Sequence, residues 1–143
     1  MTEKARQYSF VNREPGTGTA GLLPMLPLTL TTVKTVEVMA LLDTGATINV
    51  LPFSIGAELG FEWDRQTTVI QLGGNLSAAE ARAVAVSAVV GDLPAVRLGF
   101  AWTRSDRVPV ILGHMNFFLE FDVCFFRSLQ RFEIRPTQRP RNP

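Results

Sequence analysis

One carboxylate, Asp43, interrupts the stretch Met39-Ala40-Leu41-Leu42-Asp43-Thr44-Gly45-Ala46-Thr47-Ile48-Asn49-Val50-Leu51-Pro52, with apolar residues closing in from both sides. A carboxylate taken out of water is costly unless it is paired, hydrogen-bonded or allowed to keep its proton. Either a local turn solvates Asp43, as aspartates do by accepting from their own backbone, or the chemistry of the molecule needs an acid there. Thr44, Gly45 and Ala46 add a hydroxyl and two small residues that leave room around it. A second apolar run ending in glycine, Ile111-Leu112-Gly113, comes later in the chain.

The rest of the composition removes several competing chemistries. His114 is the single histidine and Cys124 the single cysteine. A Ser-His-Asp triad with a spare imidazole, a Cys/His zinc cluster and an internal disulfide framework are therefore hard to assemble from one chain. Glu62 and Asp64 are two carboxylates without a histidine, a poor metal site, so no metal or other cofactor is expected. With a formal net charge of +1 there is no overall field drawing the molecule to nucleic acid or to a membrane surface. No window approaches the roughly 20 apolar residues that span a bilayer, and the N-terminus lacks the apolar core of a secretory signal. The expectation is a soluble cytoplasmic protein.

The elements that must position Asp43 read mainly as strands. At 143 residues the chain fits one domain. Its expected divisions are a flexible segment over 1–22, a folded domain over 23–136 and a basic, proline-rich tail over 137–143. Leu26 to Thr32 and Thr35 to Leu42 are rich in Thr, Val and Leu. Asn49 to Pro52 is a short strand, and Pro52 to Gly60 suits one or two helical turns closed by glycine. Thr67 to Leu72, the joint Gly73-Gly74-Asn75 and Leu76 to Ala79 predict a hairpin. Glu80 to Val90 is ambiguous, since its alanines favour helix while its alternating valines suit a strand, and strand is preferred. Val96 to Thr103 and Val108 to Leu112 are further strands, and His114 to Leu119 suits a short helix. Phe121 to Phe126 and Leu129 to Ile134 predict a last hairpin. Cys124, between Val123 and Phe125, is expected as a small core residue. Trp63 and Trp102 are expected to pack in the core or line a cleft.

By residue type and order, Asp43-Thr44-Gly45-Ala46 between apolar strands, the glycine joint at Gly73-Gly74 and Ile111-Leu112-Gly113 before a short helix resemble the retropepsin-like aspartic proteases. The resemblance runs from about Leu26 to Arg135. It implies an all-β fold, a closed or partly open β-barrel of the retropepsin type with one short C-terminal helix. It implies Asp43 as the catalytic residue, with Thr44, Gly45 and Ala46 forming the supporting turn. Leu72, Gly73, Gly74 and Asn75 would form a flap, and Val50, Ile70, Val108, Val110 and Ile111 would wall the substrate pocket. Ile111, Leu112 and Gly113 would be the second motif. Such enzymes need two carboxylates sharing one proton and holding one water. Asp64, Asp92, Asp106 and Asp122 lack a following Thr/Ser-Gly, so the second carboxylate must be Asp43 of another copy.

The expected function is therefore a homodimeric aspartic endopeptidase acting on peptide or protein, with an inert monomer and a terminal strand over Leu129 to Ile134 pairing between subunits. Retroviral members of the family usually carry an acid where this chain has Thr47 and an arginine where it has His114. A catalytically weak or inactive dimerisation or peptide-binding module of the same fold is the alternative. An RNA-associated barrel using the basic tail is disfavoured by the near-neutral charge.

Overall fold

The computed structural model describes residues 4–13, 16, 18–72 and 80–138. Two strands deliver the chain to Asp43. In β4 (Met25–Thr31), Leu26, Leu28 and Leu30 alternate inward, and β5 (Thr35–Leu42) returns antiparallel to it through the turn at Thr32–Lys34. The period of two buries one face of each strand and leaves Thr and Glu outside. Asp43 follows the last residue of β5.

Four more strands complete a ring. β5 runs parallel to β10 (Val110–Leu112), which pairs antiparallel with β6 (Val50–Leu51). β6 runs parallel to β9 (Val96–Thr103), β9 is antiparallel to β8 (Glu80–Val89), and β8 closes on β4 through Leu30↔Ala88. The ring β4-β5-β10-β6-β9-β8 is thus a closed barrel, with β7 (Val69–Gln71) added along β8. The alanine-rich β8 is a strand because its pairings with β9 and β4 satisfy its backbone while Val84, Val86 and Ala88 fill the core. Tertiary pairing outweighs the helical preference of alanine there.

The helix α1 (Phe53–Glu58) starts after Pro52, whose ring already fixes a φ of −67°, and Asp106 Oδ1 accepts the Ser54 N–H at 2.8 Å. It docks on Trp102, which is fully buried, stacks on Phe53 at 5.4 Å and donates from Nε1 to the Phe53 carbonyl at 3.1 Å. A Cβ on Gly56 would lie 2.1 Å from Trp102 Nε1, so only glycine allows this approach. Trp102 is therefore a packing residue. Trp63 packs against it edge-on at 5.2 Å, with the Arg82 and Arg104 guanidinium groups over its ring.

A separate three-stranded sheet covers one end of the core. Its order is β1 (Arg6–Ser9), β12 (Arg131–Pro136), β11 (Phe121–Phe126). Phe121, Phe132 and Ile134 are almost completely buried beneath it. The polar lead-in therefore contains a packed strand, where composition alone suggested a flexible segment. Tyr8 stacks on Phe132 at 5.4 Å, and Arg6 pairs with Asp92 at 2.7 Å. Burial, and then the Asp92 charge, raises the Tyr8 phenol above its usual 10.0, while the Arg6 hydrogen bond lowers the Asp92 carboxyl below 3.8.

Two expectations about this sheet are overturned. β12 is flanked on both sides within its own chain, so it has no open edge for pairing between subunits. Cys124 is exposed, because alternation along β11 turns Phe121, Val123 and Phe125 inward and Cys124 out. The expected helix near His114 is shorter and later, as α2 (Phe117–Glu120).

Candidate active site

The turn at Asp43 is stitched to the segment following β10 by a ladder of backbone bonds. Asp43 N–H donates to Leu112 O at 3.0 Å, His114 N–H to Ala46 O at 3.0 Å and Met115 N–H to Thr47 O at 2.9 Å. Asn49 N–H then donates to Met115 O at 2.9 Å, and Ile48 bridges Met115. Within the turn, Ala46 N–H closes on Asp43 O at 3.1 Å, and Gly45 N–H donates to Asp43 Oδ1 at 2.9 Å. That bond to the carboxylate is a strong, charge-assisted kind.

Asp43 is half-buried, while Thr44 and Gly45 are exposed. Within one chain the carboxylate is thus solvated by its turn and open on one side. Thr44 makes no side-chain hydrogen bond within the chain among the described residues. Gly45 is not needed for a left-handed backbone, since its φ is outside the positive range. Its value is space, because a methyl there would sit 3.3 Å from Asp43 Oδ1.

Gly113 explains the second motif. A Cβ at this position would lie 2.6 Å from Ala46 O and 2.8 Å from Ile48 O, both backbone atoms. The Asp43 turn rests directly on the glycine. Leu112 and Val110 point the other way into the main core, whereas Ile111 joins Val50, Leu72, Ala81 and Ala101 in a second, smaller apolar cluster. Ala46, Ile48, Ile70 and Val108 pack against that cluster. Of the five expected pocket residues, Val50, Ile70, Val108 and Ile111 therefore gather beside the turn. Val110 does not, because strand alternation sends it inward. Leu72 is buried in the same cluster, and Gly73, Gly74, Asn75 and the strand expected over Leu76 to Ala79 lie outside the described residues.

An apolar pocket of about 310 Å³ adjoins this cluster, bounded by Ile48, Ile70, Ala83, Gly99, Ala101 and Met115. On the other side of the turn, Thr44 stands at the rim of a groove of about 380 Å³ with Phe10, Leu22, Leu23, Pro24 and Phe125.

Asn49 is a buried structural brace beside the Asp43 turn that residue pattern alone did not reveal. Its side chain is fully buried, donates to Gly99 O at 2.8 Å and accepts from Gly113 N–H at 2.8 Å. Asn116 adds a second brace, accepting from Gly99 N–H at 3.0 Å and donating to Arg97 O at 3.0 Å. The two asparagines tie β9, Gly113 and the start of α2 together. The available signal was an amide standing alone in the apolar run Ile48 to Leu51. His114 is exposed, and its Nε2 lies 2.7 Å from Thr44 O. Among the described residues no group of three or more His, Cys, Asp or Glu side chains is placed to hold a metal.

A closed barrel with Asp43 on the turn that leads from β5 to β6, seated against the glycine that follows β10, fits the fold of the retropepsin-like aspartic proteases. The pattern of the family described as aspartyl protease matches residues 29–117, which contain both motifs, and the chain belongs to that family. The crystal structure of a retropepsin-like aspartic protease from Rickettsia conorii superposes with a TM-score of 0.63 at 13% identity, covering 92% of this chain and 91% of that one. The fold is therefore retropepsin-like. No match was found among curated proteins. No helix among the described residues is long and apolar enough to cross a membrane.

Proposed function

We propose that the protein is an aspartic endopeptidase whose site is completed by a second copy of the same chain. The reading is carried by Asp43, half-buried and held by Gly45 N–H, beside a Thr44 hydroxyl that makes no hydrogen bond among the described residues. Two Asp43 carboxylates meeting across a two-fold axis cannot both ionise readily, so one keeps its proton. The ionised oxygen takes a proton from a water held between them as that water attacks the scissile carbonyl. The protonated carboxyl polarises the same carbonyl and stabilises the oxyanion that develops. No Ser or Cys nucleophile takes part.

The supporting turn supplies the rest. Gly45 holds Asp43 Oδ1 in place, and the Thr44 hydroxyl is available to the opposing turn. The groove rimmed by Thr44 gives the partner an apolar surface close to the axis. An extended peptide adds main-chain bonds in the manner of a strand and seats apolar side chains against Val50, Ile70, Val108 and Ile111.

The test sets the purified protein against a peptide library between pH 4 and 7, beside Asp43→Asn, with light scattering for the assembly. Cleavage by the wild type that is abolished in the variant and by a statine-type mimic supports the enzyme. A protein that forms the dimer yet cuts nothing is instead a peptide-binding module of the same fold.

A further inference from the structure

The imidazole of His114 stands beside the catalytic turn with no part in the reaction as described. Its Nε2 lies 2.7 Å from the carbonyl oxygen of Thr44. A carbonyl can only accept, so Nε2 carries the proton in this contact. The peptide group that owns this oxygen is the one joining Thr44 to Gly45, and its N–H is the donor to Asp43 Oδ1 at 2.9 Å. A single planar unit therefore links the histidine to the carboxylate, with one hydrogen bond at each end.

We infer that His114 is a positioning residue for Asp43, acting through the Thr44–Gly45 peptide. The kinetic part of this inference rests on the protease reading; the structural part does not. Two effects follow from the geometry. First, the peptide plane cannot rotate without breaking the bond at one end or the other, so the direction of the Gly45 N–H toward Oδ1 is fixed. Second, a donor on the carbonyl polarises the amide and makes its N–H a better donor, a gain of about 10–30% per bond in a chain of hydrogen bonds. The ionised form of Asp43 is the form that benefits.

The histidine is itself well placed to do this. Its own N–H donates to Ala46 O at 3.0 Å, which fixes its backbone against the turn it braces. Its ring rests 5.3 Å from that of Phe118, which limits the rotamers open to it. Thr47 offers no charge to draw the side chain elsewhere. The short imidazole reaches the turn carbonyl and stops there.

The full chain is compared with His114→Phe, which keeps a ring beside Phe118 and loses the donor, and with His114→Gln, whose amide nitrogen restores a donor at similar reach. The Gly45 amide proton is followed by two-dimensional ¹H–¹⁵N NMR, with kcat, KM and dimer formation measured in parallel. In His114→Phe the Gly45 amide proton is expected to move upfield. kcat should fall about tenfold with KM within twofold and the dimer intact. His114→Gln should return the resonance and most of kcat. A Gly45 resonance unmoved in His114→Phe overturns the inference. So does a joint loss of kcat, substrate affinity and dimer, which would mark a merely structural residue. If the wild type cleaves nothing, the NMR comparison still decides whether His114 acts on the turn, so failure of the protease reading and failure of this one are distinguishable.

Discussion

Replacing Gly113 by alanine tests whether the Asp43 turn is seated on that glycine. The new methyl carbon would stand 2.6 Å from Ala46 O, 2.8 Å from Ile48 O and 3.1 Å from the Ala46 carbonyl carbon. Carbon and carbonyl oxygen ordinarily rest at about 3.3 Å or more, so the turn must lift from β10 by roughly 0.7 Å. All three contacted atoms are backbone, and no flexible side chain can yield instead. The lift strains the Asp43–Leu112 and His114–Ala46 bonds at 3.0 Å and pulls Gly113 N–H from Asn49. Overpacking of this kind costs about 1–3 kcal/mol, which lowers the unfolding midpoint by roughly 3–10 °C in a domain of this size. In a dimer both carboxylates are displaced. A misplacement near 1 Å costs about 10²-fold in rate, so kcat/KM on a fluorogenic peptide should fall about a hundredfold. Gly99→Ala, where the methyl meets open space, is the stability control and should leave the midpoint within about 2 °C. A Gly113→Ala protein with unchanged midpoint and unchanged kcat/KM would refute the seating.

Asn49→Ala strips partners from Gly99 O and Gly113 N–H in a fully buried site. A loss on the order of 3 kcal/mol is expected in urea unfolding, and a loss under about 1 kcal/mol would argue against the brace. Gly56→Ala drives a methyl into the Trp102 indole; a destabilisation of about 3 kcal/mol and an altered tryptophan emission should follow, and an unchanged spectrum would contradict the docking of α1. The Arg6–Asp92 pair gives a pH dependence of known sign. Because the folded-state carboxyl is lowered below 3.8, its contribution is fully present above 3.8 and is lost as the pH falls through the lower folded value. Hydrogen exchange of β1 amides, corrected for intrinsic rates, should lose protection in that acid window, whereas Asp92→Asn should lack the contribution at every pH. Tyr8 has the opposite sign: its phenol is raised, so its contribution holds below 10.0 and fades as the pH rises through the folded value.

The barrel strands were legible where one face alternates, as in Leu26, Leu28 and Leu30, because a period of two leaves few other structures. The Asp43 turn was legible for a different reason, an acid and a glycine set where an apolar run allows neither cheaply. Orientation was harder. Val123-Cys124-Phe125-Phe126 is apolar throughout, so its phase could not be read, and the inward face was fixed only by pairing with β12. Val110 and Ile111 posed the same problem in β10. The strand β1 was hidden because Arg6, Gln7 and Ser9 are polar; its burial comes from one ring, Tyr8, meeting Phe132 from the far end of the chain. Asn49 and His114 act through backbone groups of distant residues, and no local spacing encodes such partners.

The ladder through Tyr8 and Phe132 ties β1 to β12, strands more than a hundred residues apart in sequence. A fragment trimmed to begin at Leu22 would bare the flank of β12 over Arg131 to Ile134 and take the Tyr8 ring from Phe132. Raw strand edges recruit one another, so such a fragment is expected to clump, and its self-association would carry no information about a dimer of the chain that keeps β1.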